Sequence, residues 1–236
     1  MRIALLGYGK MGREIEAAAR GQGETIAEIF DIDRLPDADC IRDVDVCIEF
    51  STPQSAIDNI RVALQARKDI VVGTTGWYDR LPEIRGDVTE SGLIYSSNFS
   101  LGVNIYFRIV AAAAALMENA SDYDPFIHEL HHRQKADSPS GTALRLAEIL
   151  MNRIGRKSVL ATGRADGRIS PNALHVTSTR VGAVAGIHTV GFDSEADLIE
   201  LTHAAKNRRG FALGALRAAR WIRGKKGVYT MDDVEL

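Results

Sequence analysis

The chain opens with a short apolar run that leads directly into a glycine-rich turn and a helical pattern. Residues 2–6 form the apolar run, the turn reads Gly7-Tyr8-Gly9-Lys10-Met11-Gly12, and Met11, Ile15, Ala18 and Ala19 share one helical face. In a strand–turn–helix unit, such glycines permit a tight turn, close approach of the backbone to a pyrophosphate and close helix packing. The pattern predicts a dinucleotide-binding α/β domain, with a plain glycine-rich turn as the alternative.

The segments that follow extend this prediction to a parallel sheet. A second strand is expected over residues 25–30, ending at Asp31, where such folds place a carboxylate for the adenosine ribose hydroxyls. Strand patterns at 44–50, 70–72 and 93–96 alternate with helical ones, as in parallel α/β sheets. Two of them end in polar segments, Glu49-Phe50-Ser51-Thr52-Pro53 and Gly73-Thr74-Thr75-Gly76. Ligands of open α/β sheets bind at such strand ends, and we expect these segments to hold a nicotinamide.

The pattern changes after Gly102. An Ala-rich helix runs to Asn119, and then come a strand at 126–130, a helix from 142 to 154, and strands at 174–181, 186–192 and 198–203. This order predicts an α+β second domain of predominantly antiparallel strands, whose open face another subunit covers. A last helix over 211–221 is expected to return to the first domain. The predicted division is 1–101 with 209–236 for the dinucleotide-binding domain and 102–208 for the second domain.

The connection between the 126–130 strand and the next helix carries the densest chemistry of the chain, HELHHRQKADSPSGTA at residues 128–143. Ser138 is expected to be the helix N-cap and Pro139 its first residue, so that the N–H groups near Ser140, Gly141 and Thr142 point outward. A helix terminus of this kind binds anions, carboxylates included.

Basic side chains lie next to this expected anion site. They are His131, His132, Arg133 and Lys135, which add positive charge and proton donors. The segment therefore indicates a small anionic substrate that is protonated during the reaction. A solvated basic loop beside a well-capped helix is the alternative.

Composition and charge limit the partners, the location and the metal content that we expect for this protein. A net charge of −2 argues against nucleic acid as a partner, and no apolar stretch approaches a membrane span or a signal peptide, so the cytoplasm is the expected location. Cys40 and Cys47 show no metal-ligand spacing with each other or with histidine, so no metal is expected. The segment from Gly163 to Pro171 is predicted to be an exposed loop.

The cluster HHRQKADSPSGTA resembles the signature of the 4-hydroxy-tetrahydrodipicolinate (dihydrodipicolinate) reductase family of diaminopimelate and lysine synthesis. Residues 7–12, 49–53, 73–76, 98–104 and 180–188 resemble other family segments in the family's order. The resemblance implies a Rossmann-type domain joined to a mixed α/β substrate-binding and tetramerisation domain. It also implies reduction of a cyclic dicarboxylate by NADH or NADPH in a homotetramer.

The resemblance also implies roles for individual residues. His131 falls at the family's proton donor or acceptor and Lys135 at its second proton donor; on chemical grounds we expect Lys135 to donate while His131 and His132 position and polarise. The implied substrate-binding residues are His132, Ser140, Gly141, Thr142 and Arg180. The cofactor-binding residues are expected to be Gly7, Tyr8, Gly9, Lys10, Met11, Gly12, Asp31, Phe50, Ser51, Gly73, Thr74, Thr75, Ser96, Ser97, Asn98 and Phe99.

The chain departs from longer family members in two places. It is shorter between Phe30 and Val44, and Asp31 is followed by Ile32 where an arginine is often found. The second departure leaves the choice between NADH and NADPH open, because an acid favours the free ribose hydroxyl while Lys10 or Arg34 can meet a 2′-phosphate. Two rival functions remain: another two-domain dehydrogenase for a small carboxylate, and a non-catalytic NAD-binding sensor.

Overall fold

The computed structural model describes residues 1–235, which form two compact units. One unit contains Met1–Asn104 and residues 208–235, and the other contains Ile105–Asn207. The division falls inside the long helix that follows the fifth strand. Among residues 1–235, no helix is both long and apolar enough to cross a membrane.

The elements follow one another in this order. The first half of the chain contains β1 (Arg2–Leu6), α1 (Lys10–Gly21), β2 (Thr25–Phe30), β3 (Val46–Glu49), α2 (Pro53–Gln65), β4 (Asp69–Val72), α3 (Leu81–Arg85), β5 (Gly92–Tyr95) and α4 (Leu101–Met117). The second half contains β6 (Asp124–His131), α5 (Gly141–Arg153), β7 (Val159–Thr162), β8 (Ala173–Arg180), β9 (Ile187–Asp193), β10 (Leu198–Ala204), α6 (Arg209–Ile222) and β11 (Gly227–Thr230). Short 3₁₀ turns cover Tyr78–Arg80 and Met231–Asp233.

The first unit is built on a six-stranded parallel sheet in the order β11-β5-β4-β3-β1-β2. Its central strands are short apolar runs, and all four residues of β3 are buried, as expected for a sheet covered on both faces. The chain proceeds from β1 to β2 on one side and then returns to β3 on the other. This reversal opens a crevice at the carboxyl ends of β1 and β3, where doubly wound folds bind their ligands.

Helices cover both faces of this sheet. On one face, Ile15 of α1 and Leu216 of α6 belong to a core that includes Leu5 of β1. On the other face, Ile57 of α2 packs in a second core with Trp77. The last helix therefore packs in the first unit, as its apolar face predicted.

The second unit is a five-stranded mixed sheet in the order β10-β9-β6-β8-β7. The expectation of predominantly antiparallel strands is wrong: β9 pairs antiparallel with β10 and β6, but β8 pairs parallel with β6 and β7. The helix α5 supplies the crossover that lets β6 and β7 run in the same direction. Pattern analysis missed β7 because three of its four residues are exposed and show no apolar alternation.

One face of the mixed sheet is covered by helices. Val110 of α4 and Leu146 of α5 pack on Ile127, Val176 and Val190 of the sheet. The edge strand β10 remains largely exposed, with Leu198 at 49% and Ile199 at 39% exposure. The segment from Gly163 to Pro171 is exposed throughout, as predicted.

Candidate active site

The glycine turn after β1 is packed so tightly that side chains are excluded. Gly7 has a φ of +97°, and a Cβ placed on it would lie 2.4 Å from the carbonyl oxygen of Phe50. A Cβ on Gly12 would lie 2.5 Å from the carbonyl oxygen of Gly7. The backbone N–H of Gly7 donates to the Phe30 carbonyl at 2.9 Å. The turn therefore brings the ends of β1, β2 and β3 together and leaves a cradle that fits a dinucleotide pyrophosphate.

The other residues of this turn lie at the start of α1. Gly9 is the N-cap and offers no side-chain capping bond, so the helix terminus is open to an external acceptor. Lys10 is exposed and Met11 half-buried at the first two helical positions. The Tyr8 hydroxyl bonds the carboxylate of Glu16, and its ring lies 4.9 Å from the guanidinium of Arg13.

Asp31 follows β2 and lies on the surface in a narrow turn. Its backbone exchanges two hydrogen bonds with Arg34, at 3.0 and 3.1 Å, and its carboxylate accepts the N–H of Ile32 at 2.9 Å. Arg34 itself is engaged elsewhere: it pairs with Glu28 at 2.7 Å and its guanidinium lies 4.6 Å from the ring of Phe30. The carboxylate of Asp31 is thus more available to a ligand than the guanidinium of Arg34.

The ends of β3 and β4 meet in a polar cluster around the buried carboxyl group of Glu49. The backbone N–H of Ser51 donates to Glu49 Oε1 at 3.0 Å and to the Thr74 hydroxyl at 2.8 Å. The Ser51 hydroxyl also bonds Glu49, and Asn59 of α2 donates to Ser51 at 3.1 Å. Ser51 and Thr74, which the sequence assigned to the cofactor, are therefore bonded directly to each other, and Ser51 is also bonded to Glu49, which lies in the predicted polar segment but was assigned no role.

Aromatic rings lie beside this cluster. The Phe50 ring fills the space in front of Gly73, where a Cβ would come within 2.1 Å of it. The ring of Phe99 lies 6.1 Å from that of Phe50. The Phe50 ring thus lies beside two other predicted cofactor-binding residues, Gly73 and Phe99, in the first unit.

The segment after β5 is held by its own polar groups. The Ser96 hydroxyl donates to the Asn98 carbonyl at 3.0 Å and accepts the Asn98 N–H at 3.1 Å. Asn98 Oδ1 accepts the N–H of Ser100 at 2.8 Å, and Asn104 donates back to the Asn98 carbonyl at 3.0 Å. Ser97 is exposed beside them, and Thr75 is exposed after β4.

In the second unit, β6 ends at His131 and the basic segment begins there. The His131 side chain is 9% exposed, and its Nε2 lies against Gly186, where a Cβ would approach to 3.0 Å. His132 is half-buried, and its Nδ1 is buried without a hydrogen-bond partner within residues 1–235. Lys135 Nζ bonds both carboxylate oxygens of Asp137, at 2.8 and 2.9 Å, and keeps 23% of its side chain exposed.

The helix α5 begins two residues later than predicted. Its N-cap is Ser140, whose hydroxyl accepts the N–H of Ala143 at 3.2 Å, so the assignments of Ser138 as N-cap and Pro139 as first residue are wrong. Serine is a common N-cap, so the sequence does not distinguish Ser138 from Ser140. In the structure, the backbone N–H and the hydroxyl of Ser140 are both bonded to Glu129, which holds Ser140 at the cap position. Gly141 and Thr142 are therefore the first two helical residues, and a Cβ placed on Gly141 would meet no atom of residues 1–235 within 4 Å outside its chain neighbours and its own helix backbone.

Glu129 is the centre of this half of the site, and sequence analysis missed it. It is fully buried, and its Oε1 accepts the N–H of Ser140 at 3.0 Å, the Ser178 hydroxyl at 2.8 Å and Arg180 Nη2 at 3.0 Å. Its Oε2 lies 3.4 Å from both His131 Nδ1 and His188 Nε2. The signal that could have identified it is the alternation of side chains along the strand: Glu129 lies on the buried face of β6 together with Ile127 and His131.

The two titratable groups of the cluster, Glu129 and His131, differ in their charge state. Burial alone favours the neutral carboxyl, but the hydrogen bonds from His188, Ser140, Ser178 and Arg180 outweigh it and hold the pKa of Glu129 well below its usual range. Burial lowers the pKa of His131 to about 4, against the attraction of Glu129. At neutral pH, His131 is thus an uncharged polar group.

Glu129, His131 and His188 also form a group whose nitrogen and oxygen atoms lie within 4.8 Å of one another, a spacing that metal ligands share. The Glu129 oxygens already accept N–H and O–H donors, and the Arg180 guanidinium lies beside them. This occupancy favours a hydrogen-bonded cluster over a metal site.

Arg180 also ties the basic segment to the sheet. It makes four hydrogen bonds, which reach Glu129 and the carbonyl oxygens of Lys135, Asp137 and Thr179. The turn that carries Lys135 is thereby fixed relative to the end of β6.

Known proteins resemble this chain over its whole length. Residues 1–99 match the family model described as dihydrodipicolinate reductase, N-terminus, and residues 102–234 match the model described as dihydrodipicolinate reductase, C-terminus. A 4-hydroxy-tetrahydrodipicolinate reductase of Christiangramia forsetii is 40% identical over 238 residues, covering 99% of this chain and 97% of the relative. One from Archaeoglobus fulgidus is 41% identical over 260 residues and covers 99% of both chains.

A solved structure shares the fold. The dipicolinate-bound dihydrodipicolinate reductase from Paenisporosarcina sp. TG-14 has a TM-score of 0.81 at 21% identity, covering 100% of this chain and 99% of that one. The predicted Rossmann-type sheet with a second mixed-sheet unit is therefore confirmed. With both family models matched and two relatives at 40% identity or above, the chain belongs to the dihydrodipicolinate reductase family.

Proposed function

We propose that this chain reduces 4-hydroxy-tetrahydrodipicolinate to tetrahydrodipicolinate with a nicotinamide dinucleotide, the activity named for its relatives. The observation that carries the proposal is the cluster at Glu129, which joins the strand end bearing His131 to the amino terminus of α5. A substrate carboxylate fits that terminus, at the N–H groups of Gly141 and Thr142. His132 and Arg180 are the further substrate-binding residues in this proposal.

The cofactor belongs to the first unit in this proposal. The cradle left by Gly7 and Gly12 suits the pyrophosphate, Asp31 the adenosine ribose, and the polar cluster at the ends of β3 and β4 the nicotinamide half. When bound, NADH or NADPH supplies the hydride. The remaining cofactor-binding residues are those after β1, β4 and β5: Tyr8, Gly9, Lys10, Met11, Gly73, Thr74, Thr75, Ser96, Ser97, Asn98 and Phe99.

In this proposal, a residue of the second unit supplies the proton that the reaction needs. The hydroxyl group of the substrate leaves as water with a proton from the adjacent ring carbon, which gives an unsaturated ring conjugated with the imine. A hydride added to that ring leaves an electron pair on a neighbouring atom, and that atom takes one proton. Lys135, ion-paired with Asp137, is the proposed donor. His131 is uncharged at neutral pH, so it positions and polarises the substrate by hydrogen bonding rather than by donating a proton.

Assembly and location complete the proposal. The edge strand β10 exposes Leu198 and Ile199, and apolar side chains on a sheet edge are commonly covered by another subunit. We propose a homotetramer joined through the second unit, acting in the cytoplasm on a small dicarboxylate, with neither nucleic acid nor membrane as a partner.

A coupled assay tests the activity. With substrate generated by the preceding synthase, we expect oxidation of NADH or NADPH, followed at the nicotinamide absorbance band. A dehydrogenase for another substrate would show no such oxidation. A sensor would bind NADH without turnover and would gain no stability from 2,6-pyridinedicarboxylate. A true reductase gains roughly 2.7 kcal/mol when that ligand is present at ~100 times its Kd.

Replacement of Lys135 tests the proton donor. Lys135→Ala is expected to lower kcat by roughly 100- to 10,000-fold, because general acid catalysis is worth that much, while the Kd for NADH stays nearly unchanged. Lys206→Ala, at an exposed lysine of the same unit, is the matched control and retains wild-type turnover. If Lys135→Ala keeps more than half of the wild-type kcat, Lys135 is not the donor.

The buried histidine gives a pH-dependent prediction. Because the folded-state pKa of His131 is about 4 and the unfolded value about 6.5, the unfolded chain binds more protons between these values. Folding stability therefore decreases as the pH falls through this window, by up to roughly 3 kcal/mol from this group at ~1.4 kcal/mol per unit. Urea unfolding at several pH values should show a shallower decrease for His131→Gln than for wild type. Parallel curves would mean that His131 is not held neutral by burial.

Coenzyme choice follows from Asp31. We expect both cofactors to work, with NADH favoured by less than about tenfold in kcat/KM, because a carboxylate beside a 2′-phosphate costs about 1 kcal/mol per charge pair at ~4 Å and Lys10 offsets part of it. Asp31→Ser should tilt the ratio toward NADPH. The matched control is Asp33→Ser, two residues further along the same exposed turn, which leaves the ratio unchanged. A ratio unmoved by Asp31→Ser would remove Asp31 from the ribose site.

A further inference from the structure

Glu49 is a buried acid that the proposed mechanism does not use. It is 0% exposed, and the side chains that bond it within residues 1–235 are neutral: Ser51, Thr74 and Asn59. Its second oxygen, Oε2, is buried and has no hydrogen-bond partner within the described residues. A carboxyl group in such surroundings is costly to leave charged unless a positive group is supplied to it.

Within residues 1–235, the strand neighbours of Glu49 do not supply that positive group. Its neighbours in the sheet are Leu6 on β1 and Val72 on β4, both apolar. On its own strand, Cys47 is a thiol whose pKa burial raises to about 12, so it stays uncharged. Burial accordingly raises the pKa of Glu49, and the hydrogen bonds from Ser51 reverse only part of that effect.

The position of Glu49 links it to the two turns assigned to the cofactor. It is the last residue of β3, and its carbonyl oxygen accepts the N–H of Gly73 at 2.8 Å. The next residue, Phe50, donates its N–H to Leu6 at 2.8 Å and packs against Gly7. The carboxyl group therefore lies at the strand ends that flank the crevice between β1 and β3, where doubly wound folds bind dinucleotides.

The nicotinamide ring changes charge during the reaction. It is neutral in the reduced dinucleotide and positive in the oxidised one. A nearby carboxylate in surroundings of low polarity attracts the oxidised ring and is indifferent to the reduced ring, whereas a protonated carboxyl distinguishes them little.

We propose that Glu49 sets the preference of this unit between the oxidised and the reduced dinucleotide, its ionised form favouring the nicotinamide cation. The inference rests on the proposed function, in the part that assigns the cofactor to the first unit. Binding of the oxidised cofactor then drives a proton from Glu49 into solvent, whereas binding of the reduced cofactor leaves it in place. Glu49 acts here as a specificity-determining residue for the redox state of the cofactor.

The test compares the Kd values of NAD⁺ and NADH from pH 5.5 to 8.5. For wild type, the affinity for NAD⁺ relative to NADH should rise with pH by up to about tenfold, which corresponds to ~1.4 kcal/mol of attraction between one pair of opposite charges. Glu49→Gln should lower NAD⁺ affinity at high pH, leave NADH affinity nearly unchanged, and flatten the pH dependence of the ratio. Glu90→Gln removes an exposed glutamate of the same unit and should behave as wild type.

The possible outcomes separate this role from a structural one. If Glu49→Gln weakens both cofactors equally, or leaves the ratio and its pH dependence as in wild type, the proposal is overturned. If wild type binds neither cofactor, the proposal falls together with the cofactor part of the proposed function, and the coupled assay reports that failure independently.

A measurement on wild type alone covers the case in which Glu49→Gln does not fold. Calorimetry in two buffers of different ionisation enthalpy counts the protons released on binding. We expect release with NAD⁺ and none with NADH near the midpoint of the pH dependence. Equal proton counts for the two cofactors would overturn the proposal.

Discussion

The ionised carboxylate of Glu129 is the interaction on which the second unit's half of the site depends. A charge with no exposed surface is tolerated only when donors surround it, and here the donors are the cap of α5, two strands and a guanidinium. Of these donors, Arg180 is a proposed substrate-binding residue, and Ser140 caps the helix whose first N–H groups are proposed to bind the substrate carboxylate. The same bonds that stabilise the charge therefore set the start of α5, the position of Arg180 and the surroundings of His131, so these parts cannot move independently.

The first unit contains a second buried glutamate in opposite circumstances. Glu129 has a guanidinium and several N–H and O–H donors, and its carboxyl pKa is lowered. Among the described residues, Glu49 has only neutral partners and one oxygen without any, and its carboxyl pKa is raised. Glu49 is the last residue of β3, and Glu129 lies two residues before the end of β6. The permanently charged carboxylate of Glu129 can hold side chains in fixed positions. The carboxyl group of Glu49, which can lose its charge, suits a ligand whose own charge changes, such as the nicotinamide ring.

Much of the fold was predictable because its signals are local. The glycine turn after β1, the end of β2 at Asp31 and the passage from β6 to α5 each occupy a dozen residues or fewer, and spacing alone indicates them. The errors involve contacts between distant segments. Ser140 rather than Ser138 caps α5 because Glu129, 11 residues earlier, bonds it. The pairing of β6 with β8 joins residues about 50 apart, and nothing within either strand specifies its direction.

The two candidate catalytic residues, Lys135 and His131, differ in burial, and this difference suits them to different roles. A group that delivers a proton in every cycle must regain one from solvent, and the Lys135 side chain, paired with Asp137, retains an exposed fraction of 23%. His131 is enclosed by Gly186 and by the cluster at Glu129, and the desolvation that lowers its pKa also removes it from exchange with water. A protonated His131 would also stand beside Lys135 and Arg180, whose charges disfavour it. The segment thus carries a partly exposed proton donor, Lys135, and a buried neutral hydrogen-bonding group, His131, four residues apart, because only Lys135 lies beyond the end of the strand.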